Sequence, residues 1–209
     1  MLIYSPNILK TYKTCPKKFY YQYIKKVNSP KFLTPFEKGK KIHALANYYL
    51  QGIDIKKIEQ TLTDNEREIW TALKTNVYFQ KKCLKSEYRI MTKISDYWIG
   101  GRLDGVMKDN KDYYILDYKT GAIPQTPKYD LQTMIYLICL SNILKEYNSL
   151  NFVYINLKQN TNEMIKFDEK SKEEYEKILI EYCKKIDNDK IYKPQPENCT
   201  NCEYKNLCK

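Results

Sequence analysis

Residues 101–121 read GRLDGVMKDNKDYYILDYKTG, and this stretch decides the fold. Two β-rich apolar runs, Arg102–Met107 and Tyr113–Tyr118, flank the polar stretch Lys108–Asp112. That pattern predicts a β-hairpin, although Asn-Lys makes a poorer tight turn than Asn-Gly. A turn centred on Asn110–Lys111 sets Asp104 opposite Asp117 and Arg102 opposite Lys119. Side chains alternate along a strand, so Asp104, Asp117 and Lys119 are expected on one face. Two carboxylates opposed across a ladder repel, and a purely structural sheet should avoid them. A divalent cation between them removes the repulsion, and a lysine two residues on steadies an anion at the metal. Leu103, Val106, Ile115 and Leu116 place apolar groups on both faces, which predicts a covered central hairpin instead of a solvated surface one.

In these motifs the chain resembles the PD-(D/E)XK nuclease superfamily, and within it the RecB-like branch. Asp104 matches the first acidic motif, and Asp117-Tyr118-Lys119 matches D-x-K. His43, the chain's single histidine, lies in a G-x-x-x-H pattern from Gly39, similar to the family's first motif, where the histidine binds metal. Imidazole suits Mn²⁺ as a third protein donor. The resemblance implies Mg²⁺ or Mn²⁺ held by His43, Asp104, Asp117 and the carbonyl of Tyr118, with Lys119 acting on water and phosphate. Gln132 and Tyr136 lie four apart, on one helical face, at the family's Q-x-x-x-Y position. There the glutamine stands near the catalytic lysine and the tyrosine near substrate. Glu87 stands where related nucleases often carry a glutamate beside the site. It either supports the metal shell or caps a strand edge.

The tail carries Cys199-x₂-Cys202-x₅-Cys208, three cysteines within ten residues and a metal signal in its own right. Cys15 is the best fourth ligand, because Cys83, Cys139 and Cys183 fall in segments that read as helix or strand. Four thiolates suit zinc and iron–sulfur equally, and spacing does not separate them. The resemblance, to RecB-like iron–sulfur exonucleases that include the AddB nuclease domain and a CRISPR-associated family, implies a [4Fe–4S] cluster stapling the two chain ends. It also implies attack on single-stranded DNA ends, with 5′→3′ polarity favoured, in repair, recombination or CRISPR spacer acquisition, alongside protein partners in such a complex. A non-catalytic cluster-bearing DNA-binding protein, a zinc-ribbon-like adaptor and an endonuclease with the same site are the competing readings.

Composition fits a polyanionic partner. Of 209 residues, 36 are basic and 25 acidic, for a net charge of +11. No run of eighteen apolar residues and no signal-like N-terminus occurs, so a cytoplasmic protein is expected. Seven cysteines, an odd number, point to metal rather than a disulfide framework. The length suits one domain over 1–209, and the resemblance implies an α/β restriction-endonuclease-like fold with a mixed central sheet flanked by helices.

Outward from the hairpin, Ser5-Pro6 opens a helix and Lys17–Tyr23 interleaves lysines with aromatics, a base-stacking segment or simple core. A loop is expected at 28–35 and a helix over about 36–50, ended by Gly52. Thr63–Glu66 reads as a capping box for a helix to about Phe79. Glu87–Met91 reads as a strand, and about Tyr129–Lys145 as a helix. Phe152–Leu157 and Glu163–Phe167 read as strands, and Ser171–Glu174 as a second capping box for a helix to about Ile186.

Overall fold

A computed structural model describes residues 2–28 and 37–208. The loop expected at 28–35 lies almost wholly outside the described residues. Ser5 caps the first helix, α1 (Pro6–Thr14), its hydroxyl accepting from Ile8 N. Cys15 and Pro16 restart the chain as α2 (Pro16–Phe19), which widens into a π-turn over Tyr20–Ile24. Then follow α3 (Glu37–Leu50), α4 (Lys56–Gln60) and α5 (Asp64–Lys74). The Thr63–Glu66 capping box is present. Helix α5 ends at Lys74, short of the expected Phe79, because the Thr75 hydroxyl turns back onto the last carbonyls, and Val77 is exposed.

Six strands form one mixed sheet: β1 (Ile3–Tyr4), β2 (Lys82–Ile94), β3 (Tyr97–Asp109), β4 (Asp112–Lys119), β5 (Ser149–Asn156) and β6 (Thr161–Phe167). Between β4 and β5 lies α6 (Leu131–Ile143), and α7 (Glu169–Asn188) follows β6. The second cap differs from expectation: Asp168, not Ser171, caps α7, accepting from Ser171 N at 2.7 Å. The helix begins at Glu169, so Ser171 lies within its first turn and its own amide is the group that is capped.

The hairpin register is the expected one, with Val106 paired to Ile115 and Asp109 to Asp112. Asn110 takes a φ of 54°, the left-handed conformation its short amide tolerates in a tight turn. The ladder between β3 and β4, however, ends at Gly105 and Leu116. Strand β2 occupies the whole of one edge of β3. On the other edge, β1 pairs at Trp98 and Ile99 and β4 begins only at Gly105. Among the described residues, Gly100–Asp104 therefore have no strand beside them on that edge.

At the β3–β4 hairpin both sheet faces are covered, as its apolar residues required. One core joins α1, α6 and α7 to Ile90, Ile99, Leu103, Val106 and Ile115. The other joins α3 and α5 to Met107, Leu116 and Tyr118. Cys139 and Cys183 are buried within the first core and act as small apolar groups. Among the described residues, no helix is long and apolar enough to cross a membrane.

A candidate metal-dependent active site at a fork in the sheet

Where β3 and β4 part, side chains replace the ladder. Asp104 Oδ2 accepts a hydrogen bond from Tyr118 N at 2.9 Å, the amide that a continuing ladder would have used. Its other oxygen lies 3.2 Å from His43 Nδ1, and His43 Nε2 lies 3.0 Å from the carbonyl of Tyr118. The imidazole thus bridges the two strands at the fork. Helix α3 brings it there through Gly39, where a Cβ would stand 3.2 Å from the Thr120 hydroxyl. The T-shaped contacts of Tyr118 with His43 and Phe79 hold the ring edge-on. Burial draws the imidazole pKa down, but Asp104, Asp117 and the Tyr118 carbonyl outweigh it, and the net displacement is upward.

Glu87 completes this corner. The ligand atoms of His43, Glu87 and Asp104 all lie within 4.8 Å of one another. An extra residue between Cys83 and Lys85 bulges β2 beside the site. Ser86 and Tyr88 pair with Gly105 and Leu103, so Glu87 stands across from Asp104, with a φ of 47°. A non-glycine residue in that region is strained, and here the strain turns a carboxylate toward the fork. Burial raises the Glu87 pKa, opposed by Arg102, whose Nε lies 2.8 Å from its carboxylate.

The second half of the site faces α6. Asp117 is 4% exposed, and Gln132 donates to its Oδ1. Lys119 Nζ stands 2.7 Å from Asp117 Oδ2 and 3.3 Å from Gln132 Oε1. Burial, and then the Asp104 charge, push the Asp117 carboxyl up to about 6. Gln132 is itself fixed by its place two residues past Asp130, the N-cap of α6, whose carboxylate accepts from its amide.

The expected single face for Asp104, Asp117 and Lys119 therefore needs correction. The fork turns Asp104 toward His43 on α3, while Asp117 and Lys119 turn toward Gln132 on α6. Tyr136 also differs from a substrate-facing tyrosine. It is 6% exposed, and its hydroxyl donates to Arg102 O at 2.9 Å and accepts from Arg102 N at 3.3 Å. It thus serves the stretch of β3 that has no neighbouring strand. Gly101 makes room for it, since a Cβ there would stand 2.7 Å from the Tyr136 ring. Sequence reasoning passed over Arg102 as a site residue, and its position two residues before Asp104 was the available signal.

His43, Glu87 and Asp104 make a hard donor set of one nitrogen and two carboxylates suited to Mg²⁺ or Mn²⁺, and Asp117 lies outside that close triple. Asp117 is almost fully buried with the Asp104 charge acting on it, a repulsion that such a cation would relieve.

Cys15 and the three cysteines Cys199, Cys202 and Cys208 lie in the N- and C-terminal segments, which pack together. The thiol of Cys208 is pushed up by burial and then by Cys202, Cys15 and Cys199. Among the described residues, no three of these thiols come within the 4.8 Å mutual spacing that His43, Glu87 and Asp104 meet. Around them, Asn198 Nδ2 donates to Thr14 O, Lys18 pairs with Glu203, and the Tyr21 hydroxyl donates to Leu207 O. Tyr21 stacks on Tyr204, and Tyr20 packs against Tyr192. The lysine–tyrosine segment therefore grips the tail, with Lys17 over the rings of Tyr20 and Tyr21.

Comparison with known proteins agrees with this geometry. A family model described as the PD-(D/E)XK nuclease superfamily matches residues 3–209. A RecBCD enzyme subunit RecB from Borreliella burgdorferi is 29% identical over 132 residues, which cover 53% of this chain and 11% of that subunit. The chain thus spans about a tenth of the length of that relative. Among solved structures, a candidate exonuclease from Eubacterium rectale superposes with a TM-score of 0.60 at 11% identity, over 97% of this chain and 87% of that one. The likeness to that structure is one of fold.

Proposed function

Because the chain belongs to the PD-(D/E)XK nuclease superfamily, we propose that it is a Mg²⁺- or Mn²⁺-dependent exonuclease that hydrolyses phosphodiester bonds at single-stranded DNA ends. The observation that carries this reading is the fork, where His43, Asp104 and the Tyr118 carbonyl converge beside the buried Asp117–Lys119 pair. His43, Asp104, Asp117 and Tyr118 O would hold the cation, with Glu87 at its edge. A bound cation supplies Lewis acidity toward the phosphate and lowers the pKa of water. Lys119, steadied by Asp117 and Gln132, is aimed where negative charge grows on the phosphate and stabilises it. Gln132 sets the lysine, and Tyr136 fixes the β3 backbone that presents Asp104.

Cys15, Cys199, Cys202 and Cys208 hold a [4Fe–4S] cluster in this reading, a structural clamp between the chain ends. The contacts that hold the tail against Thr14, Lys18 and Tyr21, next to Cys15, support it. The likeness to a RecBCD subunit supports work beside protein partners in repair, recombination or CRISPR spacer acquisition.

The test is cleavage by purified protein in Mn²⁺ of an end-labelled linear strand, compared with a covalently closed single-stranded circle. Rapid loss of the linear strand alone is expected. Equal attack on the circle would make the protein an endonuclease. No attack on either would leave a cluster-bearing binding protein.

A further inference from the structure

Beyond the fork, the face of the β2–β3 ribbon opposite α1 and α6 lies open. Residues directly opposite in an antiparallel pair share a face. Arg89 pairs with Arg102, Met91 with Gly100, and Lys93 with Trp98. The other face of the same ribbon carries Ile90, Ile94, Ile99 and Leu103 into the first core. Arg89, Met91, Lys93, Trp98 and Arg102 belong to neither core. Arg89, Lys93 and Met91 are exposed, Met91 at 53%, and Arg102 is also open to solvent.

We infer that this face is the track of a single nucleic-acid strand leading into the fork, with Arg102, Arg89 and Lys93 on phosphates and Trp98 under a base. The inference rests on the proposed nuclease reading and adds the path its substrate takes. Continuity with the site is the first argument. Arg102 holds Glu87 through Nε, its two terminal nitrogens make no hydrogen bond among the described residues and would suit an incoming phosphate, and Glu87 stands at the metal corner. Charge is the second: the pairs from Arg89–Arg102 to Lys93–Trp98 carry three cations and no carboxylate, with Glu87 and Asp104 at the fork end and Asp96 at the turn. Spacing is the third. Gly100 adds no side chain between Arg102 and Trp98 on β3, and Met91 stands across from it. From residue 98 to residue 102 the strip runs roughly 13 Å at strand rise. Among the described residues, Trp98 makes no aromatic pair and no cation–π contact, in a chain where most large rings do. A base stacked on it follows the sequence-tolerant mode of single-strand readers.

The test measures anisotropy of a fluorescein-labelled 20-nucleotide single strand with Ca²⁺ in place of Mn²⁺, across a salt series. The double variant Arg89→Ala/Lys93→Ala should weaken binding about tenfold or more and flatten the salt slope by about 1.4, two counterions' worth for a single strand. Trp98→Leu should weaken binding about tenfold, and Trp98→Phe should keep most of it, because the stacking plane survives. Lys56→Ala/Lys57→Ala removes the same charge from α4 and should leave the slope near wild type. Hydrolysis of a small aryl phosphodiester in Mn²⁺ should be unchanged in all four. Wild-type affinity and slope in the Arg89/Lys93 variant, or an equal loss in the Lys56/Lys57 control, would overturn the track. Failure of the unaltered protein to hydrolyse the small diester would instead sink the nuclease reading, while the binding measurements still report on the track.

Discussion

Asp104 and Asp117 stand one residue past the last ladder pair of their strands, Gly105 with Leu116. The backbone bonds that would have joined them are replaced by Asp104 on Tyr118 N and by His43 on Tyr118 O. Two carboxylates are thus kept near each other without being forced into the close contact of a ladder. Asp104 turns toward His43 on α3 and Asp117 toward Gln132 on α6.

Asp117 should make the metal-free protein less stable as pH rises. Its folded carboxyl sits at about 6 against an ordinary 3.8, so the folded state binds the extra proton between those values. Stability is therefore highest below that window and falls as pH rises through it, by at most about 3 kcal/mol. Asp117→Asn, in EDTA at pH 7.5, should melt higher than wild type, with the advantage gone near pH 3.5. The same variant should lose Mn²⁺-dependent cleavage. Urea unfolding at the two pH values, paired with a cleavage assay, checks both halves.

Lys119→Met removes the ammonium held between Asp117 and Gln132. Cleavage should drop by about 100-fold or more, as for loss of a charge-stabilising donor. The melting temperature should shift little, because the lysine is partly exposed. Single-turnover rates on a labelled strand, beside a thermal melt, give the comparison.

Tyr136→Phe strips the hydroxyl from both backbone groups of Arg102. A cost of about 1–3 kcal/mol is expected from the two unsatisfied groups. The turnover rate should fall while Mn²⁺ affinity, measured by calorimetry, changes less, since the tyrosine positions β3 and touches no ligand. Gly101→Ala should be at least as damaging to stability, by about 1–3 kcal/mol, because its Cβ has nowhere to go but the Tyr136 ring.

Cys15→Ser should lose bound iron and unfasten the tail, whereas Cys139→Ala, deep in the first core, should keep its iron. Elemental analysis of both proteins is the readout. Full iron in Cys15→Ser would move the fourth ligand elsewhere, and zinc in the wild type would replace the cluster with a single ion.

The sequence alone carried the hairpin and its register, because an alternation of two and a polar turn at Asn110–Lys111 leave only one pairing that buries Val106, Ile115, Leu103 and Leu116. It also carried the caps at Ser5 and Thr63, whose chemistry is local. It missed the cap at Asp168 because two adjacent local solutions compete and only packing of α7 selects one. The ladder's end at Gly105 was not legible either. Alternation predicts that Asp104 continues the face of Val106, and nothing local records that α3 and α6 draw the two carboxylates apart. Tyr136 was found as a motif, but its task was set by the missing strand beside Arg102. Local chemistry and periodicity are written in neighbouring residues, so the sequence determined the elements and their pairing. The fork, the strained turn at Glu87 and the open cationic face depend on which helix covers which half of the sheet, a long-range packing outcome that only the tertiary structure decided.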